Sequence, residues 1–184
     1  MLFTEFPNED GSITVRPNGY SLDFVSHIAA HLTYLTHTLA PATSFLDLSM
    51  ESIERLDELL TQRKKESLSL PDELIISTVA YCGEVLRTQV GGEWFLYVSP
   101  ADKYGGERYF PAIQSAEGKQ IDFYGIVQME FQRSTSFRLH SRLYVLLLLS
   151  EIPVQKWEHH LLGDDMFPPL EKAPPLRKIF PAEE

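Results

Sequence analysis

Two histidines at helical spacing form the pattern in this sequence that is most suited to metal chemistry. His27 and His31 lie in the motif HIAAH, which places both imidazoles on one side of a helix. The zinc protease motif H-E-x-x-H shares this spacing but needs an acid where this chain has Ile28. A zinc site also needs at least three protein ligands, and the sequence defines no third. The pair is therefore a candidate for two corners of a metal site, with a half-buried polar seam as the alternative.

Other motifs that carry catalysis do not occur in the sequence. There is no G-x-S-x-G nucleophile elbow, no G-x-x-x-x-G-K-[ST] phosphate loop and no G-x-G-x-x-G turn. Cys82, the one cysteine, lies on the apolar face of a predicted helix, which favours an inert interior thiol over a nucleophile. We therefore assign no catalytic residue and expect no cofactor, and a non-enzymatic protein is favoured over an enzyme.

The stretch YCGEVLRTQVGGEW, residues 81–94, places one glutamate inside an otherwise apolar passage from helix to strand. Glu84 lies one turn before Arg87 and is within reach of the Trp94 indole, so we expect a hydrogen-bonded carboxylate that fixes the corner between helix and strand. A partner contact and general acid–base catalysis are the alternatives. Gly83 is expected to let another element approach closely, although it costs about 1 kcal/mol relative to alanine. The structural or partner-contact candidates are Tyr81, Gly83, Glu84, Gly91, Gly92 and Trp94.

This stretch resembles bacterial domain-of-unknown-function families in which a Y-x-G-E helix is followed by a G-G-x-W strand. The matching residues are Tyr81, Gly83, Glu84, Val85, Gly91, Gly92 and Trp94. The resemblance covers roughly residues 70–131. It implies a small α+β domain with helices against an antiparallel sheet, and it implies no catalytic role.

Apolar periodicity predicts the elements that must hold these residues in place. Helices are expected over residues 21–40, 49–67, 71–90, 122–134 and 136–151, and strands over 93–100, 108–114 and about 120–122. Residues 122–134 could instead form a strand, but the spacing of their apolar residues favours a helix. The last helix is apolar on every side at its end, which implies deep burial or a partner surface.

The predicted fold class is α+β, with several helices packed on a small antiparallel sheet. Predicted core stripes comprise Phe24, Ile28, Leu32, Leu35 and Leu39; Ile53, Leu56, Leu59 and Leu60; Ile75, Val79, Cys82 and Leu86; and Phe123, Val127 and Phe131.

The composition changes at Glu151. Six of the 12 prolines lie in residues 151–184, which prevents long regular elements there. The same segment keeps apolar side chains that a disordered tail would lack, with Trp157, Phe167 and Phe180 as candidates for docking. We therefore predict one domain over 1–150 and an extended segment over 151–184, which wraps the domain or docks to a partner.

Charge and cysteine usage limit the classes of function. A net charge of −10 disfavours nucleic-acid binding, and no apolar run approaches the length of about 20 residues that a membrane span needs. One cysteine, with no secretory signal at the start, fits a cytoplasmic protein. We expect a non-enzymatic protein-interaction module of unknown partner, with an immunity-type or inhibitor protein as one specific form. A small metal-dependent hydrolase and a structural subunit of a larger assembly are the alternatives, and the oligomeric state stays open.

Overall fold

The computed structural model describes residues 3–7, 13–17, 22–39, 46–66, 70–99, 108–133, 135–150 and 177–178. Within this part of the chain the fold is α+β, with helices packed on a small antiparallel sheet. A 3₁₀ turn, Phe24–His27, leads into the first helix. The helices are α1 (Ile28–Leu39), α2 (Met50–Glu66), α3 (Asp72–Val90), α4 (Tyr124–Arg133) and α5 (Leu139–Leu149). The strands are β1 (Phe3–Pro7), β2 (Ile13–Pro17), β3 (Glu93–Ser99), β4 (Arg108–Gln114), β5 (Gln120–Ile121) and β6 (Arg177–Lys178).

Helix α3 lies at the centre of the fold. It packs against α1, α2, α4 and the sheet, and twelve of its 19 residues are buried. The predicted stripe of Ile75, Val79, Cys82 and Leu86 is buried as expected. Residues on the other sides of α3 are buried as well, because other elements surround the helix. A single apolar stripe in the sequence therefore underestimated how much of α3 is buried.

The described strands form two antiparallel sheets. Strands β1 and β2 pair as a separate two-stranded sheet, and the larger sheet has the order β5-β4-β3-β6. All seven residues of β3 pair with β4, from Glu93 opposite Gln114 to Ser99 opposite Arg108. On its other side β3 pairs with β6 at two positions, Tyr97 opposite Lys178 and Val98 opposite Arg177.

Most predicted elements are present within about two residues of their expected bounds. The three predicted strands, which are β3, β4 and β5, and the helical assignment of α4 are confirmed, and Phe123, Val127 and Phe131 are buried. The pairing of β1 with β2 was not predicted, because the sequence near the start indicated only polar turns around a short ITV segment.

The end of α5 has buried leucines on one side and exposed leucines on the other. Leu143 and Leu147 are fully buried, whereas Leu148 is 50% exposed and Leu149 is 73% exposed. Burial on all sides is therefore not observed at this end, where the chain enters the proline-rich segment. No helix in the described ranges is both long and apolar enough to cross a membrane.

Candidate functional site

Glu84 fixes the corner between α3 and β3. The Trp94 indole Nε1 donates a hydrogen bond to Glu84 Oε1 at 2.5 Å, and the Arg87 guanidinium donates from Nη2 to Oε2 at 2.9 Å. Partial burial raises the pKa of the Glu84 carboxyl, but these hydrogen bonds outweigh it and hold the pKa below its ordinary value. Glu84 is therefore an ionised acceptor bound by its own chain, as the sequence predicted.

Glycines allow the corner to close. A Cβ placed on Gly83 would lie 1.9 Å from Cη2 of the Trp94 ring and 2.6 Å from Phe123, so only glycine fits beneath the indole. Gly91 ends α3 in the left-handed conformation at φ 58°. A Cβ on Gly92 would lie 2.4 Å from the carbonyl oxygen of Gln114 on β4. The close approach predicted at Gly83 is thus made by an aromatic ring, and a second one, at Gly92, is made by a strand backbone.

An aromatic series joins this corner to the histidine pair. His31 stacks on Phe24 with ring centroids 5.4 Å apart, and Phe24 meets Trp94 edge-on at 5.8 Å. Trp94 in turn packs edge-on against Phe123 at 5.7 Å. Burial is the main cause that lowers the pKa of His31, and the neighbouring His27 lowers it further. His31 is therefore a half-buried packing residue of this series.

The histidine pair does not converge on a shared site. His27 is exposed, and its Nδ1 contacts the backbone oxygen of Asp23 at 2.9 Å. The described residues contain no group of three or more His, Cys, Asp or Glu side chains that could hold a metal ion. The half-buried polar seam is the interpretation that agrees with these contacts.

Tyr81 binds the loop before α2. Its hydroxyl accepts a hydrogen bond from the Leu48 backbone N–H at 3.2 Å and lies 2.5 Å from Ser52 Oγ. Leu48 has a positive φ of 64°, which is uncommon for leucine, and the bond to Tyr81 helps to hold that conformation. Burial raises the pKa of the Tyr81 hydroxyl above its ordinary value. Tyr81 is therefore a structural member of the candidate set.

A polar arrangement that the sequence did not predict binds the start of α5. Four consecutive backbone N–H groups donate to side chains of α2 and α4, and α5 has no capping side chain of its own at Arg138. Asp57 accepts from Leu139 at 2.8 Å and from His140 at 2.9 Å, one bond to each carboxylate oxygen. Thr61 Oγ1 accepts from Phe137 and Glu130 Oε2 accepts from Arg138, both at 2.9 Å. These acceptors satisfy donors that the helix cannot satisfy itself.

Asp57 combines this capping role with a strongly shifted pKa. Burial raises the pKa of its carboxyl to about 7, although the two backbone hydrogen bonds act to lower it. An open cavity of about 300 Å³ lies beside it, with Glu54, Glu58 and Ser141 among its lining residues. Two features of the sequence are consistent with this arrangement. An aspartate lies inside the apolar stripe of α2, and an arginine stands where a capping residue of α5 would be expected.

A second buried carboxylate lies under the sheet. Tyr97 donates its hydroxyl hydrogen to Asp122 Oδ2 at 2.9 Å, and Tyr124 packs against both Tyr97 and Phe110. Burial raises the pKa of the Asp122 carboxyl to about 6. Its other oxygen, Oδ1, is buried and has no hydrogen-bond partner among the described residues. Asp122 is thus bound by Tyr97, one of the two residues of β3 that pair with β6.

The side of β3 that faces away from β4 pairs with β6 at Tyr97 and Val98. Phe95 and Leu96, the two residues before them, are half-buried. The predicted tail residues Trp157, Phe167 and Phe180 lie outside the described residues, so their docking stays a prediction.

Comparisons with protein-family models, with curated proteins and with solved structures found no match to this chain. The likeness to domain-of-unknown-function families therefore remains an expectation from the residues between Tyr81 and Trp94.

Proposed function

We propose that this chain is a non-enzymatic protein-interaction module that binds a protein partner through the exposed apolar end of α5. The observation that carries the proposal is the exposure of two adjacent leucines, Leu148 at 50% and Leu149 at 73%. Leu143 and Leu147 of the same helix are fully buried, so the core fixes the helix that presents these side chains. Exposed apolar patches of this kind mark protein-interaction surfaces.

Charge favours a basic partner. The chain has a net charge of −10, which speeds encounter with a protein of opposite sign. An immunity-type or inhibitor protein that covers a basic surface is the specific form that fits this charge. A cytoplasmic location is part of the same proposal, supported by a single cysteine that is buried.

The test is an affinity capture from the native host with three baits, quantified by mass spectrometry. The baits are the wild-type chain, Leu149→Lys at the exposed end of α5, and Leu22→Lys, which changes an exposed leucine before the first helix. A lysine in an apolar interface places an unpaired charge there and opposes binding. Thermal unfolding of each bait first establishes that it is folded.

We expect a partner that is enriched near stoichiometry with wild type and with Leu22→Lys, and lost with Leu149→Lys. Loss with Leu22→Lys alone would transfer the interface to the start of the first helix and contradict binding at the end of α5. Failure to enrich any partner with the wild-type bait would count against the interaction module itself.

A further inference from the structure

The cavity beside Asp57 and the exposed Leu148 lie on the same side of α5. Ser141, in the first turn of α5, is one of the residues that line the cavity. Leu148 follows Ser141 by seven residues, so both lie on one side of the helix, about 10 Å apart along its axis. Tyr144 and Val145 lie between them at helical spacing and are partly exposed. The exposed leucine therefore continues a stripe of α5 that begins at the cavity.

Helix α2 runs antiparallel to α5 beside this stripe. Thr61 accepts a hydrogen bond from Phe137, just before α5, and Asp57 accepts one from Leu139, its first residue. Residue numbers in α2 thus fall as those in α5 rise, which places Glu54 one turn further along α5 than Asp57. Two packed helices leave a groove between their exposed sides, and a third helix can pack into it.

The start of this groove concentrates negative charge. The cavity is lined by three carboxyl groups of α2, those of Glu54, Asp57 and Glu58, beside the Arg138 guanidinium and the His140 imidazole. Glu54 and Glu58 are exposed, and Glu58 also pairs with Arg55 of its own helix. An exposed pair of this kind contributes little, so the acids can exchange it for another cation. The charge of the cavity is complementary to a lysine or arginine side chain.

We propose that the groove between α2 and α5 binds a basic amphipathic helix of the protein partner. One cationic side chain enters the cavity, and apolar side chains one and two turns away pack on Tyr144, Val145 and Leu148. Apolar anchors at i, i+3, i+4 and i+7 are the usual means by which a groove holds such a helix. The inference rests on the proposed function and adds the chemistry of the partner segment to it.

A peptide-display library tests this groove without knowledge of the partner. Random peptides of about 16 residues, long enough for four helical turns, are selected on the wild-type chain and counter-selected on Leu148→Lys. Only peptides that need the apolar end of α5 are retained. We expect them to carry apolar residues at helical spacing, with a lysine or arginine about seven positions from the last of these. The most enriched peptide is then synthesised for affinity measurement by fluorescence anisotropy.

Two double variants of equal net charge separate the cavity from the overall charge of the chain. Glu54→Gln/Glu58→Gln removes the two exposed acids of the cavity and should weaken binding of the peptide about tenfold. Glu73→Gln/Glu93→Gln removes two exposed acids from other elements and should weaken it less than about twofold. Thermal unfolding first establishes that each variant is folded.

The outcomes distinguish this inference from the proposed function. Equal affinities of the two double variants would overturn the role of the cavity. Retained peptides without a basic residue would overturn the basic helix and leave binding at the end of α5 supported. A selection that retains no peptide would overturn the groove, whereas a partner whose capture is lost with Leu149→Lys would still uphold the proposed function.

Discussion

Trp94 Nε1 donates a hydrogen bond to Glu84 Oε1 across 2.5 Å, which joins the last turns of α3 to the first strand of the sheet. The carboxylate has a side-chain exposure of only 12% and is also held by Arg87. A charged, hydrogen-bonded acceptor at this depth is costly to remove, because its donor would then be left without a partner.

The first prediction is that Glu84 and Trp94 are energetically coupled. We expect Glu84→Ala to lower the free energy of unfolding by about 1 to 3 kcal/mol, since the indole N–H loses its acceptor. A double-mutant cycle with Trp94→Phe, followed by urea unfolding, should give a coupling energy of at least about 0.5 kcal/mol. The exposed neighbour Glu93→Ala should change stability by less than about 0.5 kcal/mol. Additive effects at Glu84 and Trp94 would contradict the coupling.

The second prediction concerns two helical glycines with opposite surroundings. Gly83→Ala should destabilise the protein by about 3 kcal/mol or more, because the new Cβ would overlap the Trp94 ring. Gly125→Ala, near the start of α4, should stabilise it by roughly 0.4 to 1 kcal/mol, because nothing lies within 4 Å of the added carbon. Denaturant midpoints measure both. Similar effects of the two substitutions would argue against the close packing over Gly83.

The third prediction is a pH dependence of stability. The pKa values of Asp57 and Asp122 are raised in the folded state to about 7 and about 6, above the ordinary value of 3.8. Their contribution to stability is therefore complete below about pH 4 and is lost as pH rises through 6 to 7. Each pKa unit corresponds to about 1.4 kcal/mol. Thermal unfolding between pH 4 and 8 should show this decline.

Asp57→Asn should flatten that pH profile, because the amide does not titrate. It should also lose one of the two bonds to the start of α5, since an amide has one acceptor oxygen. The control Glu51→Gln removes an exposed acid from the same helix and should retain the wild-type slope. An unchanged slope in Asp57→Asn would assign the titration to another group.

The fourth prediction is that zinc does not bind tightly at the histidine pair. His27 contacts the Asp23 carbonyl and His31 stacks on Phe24, so the two imidazoles serve separate contacts. Calorimetry at micromolar zinc should give the same heats for wild type and for His27→Ala/His31→Ala. A binding isotherm present only in wild type would restore the metal-dependent alternative.

Local patterns predicted the elements and the α3–β3 corner well. The Glu84 bonds to Arg87 and Trp94 connect residues at most ten positions apart, so spacing alone suggested them. The position of Gly83 inside a helix also predicted that another element packs closely against it.

The capping of α5 could not be predicted in this way. Asp57 meets Leu139 across 82 positions, and no periodicity links two residues at that separation. The raised pKa values arise from burial between helices, which a sequence shows only after the packing is known. The pairing of β6 with β3 likewise joins two distant segments through backbone groups, which leave no mark on residue type.

The cap that α2 supplies to α5 also orders the assembly of the protein. The donors at the start of α5 find their acceptors only after the intervening strands and α4 have been made and folded between them. The bonds from the start of α5 to α2 close a long loop, which slows their formation and ties both helices to the rest of the core. During synthesis Asp57 therefore lacks its two donors until α5 has been made. We expect α2 and α5 to gain and lose their structure together as one cooperative unit.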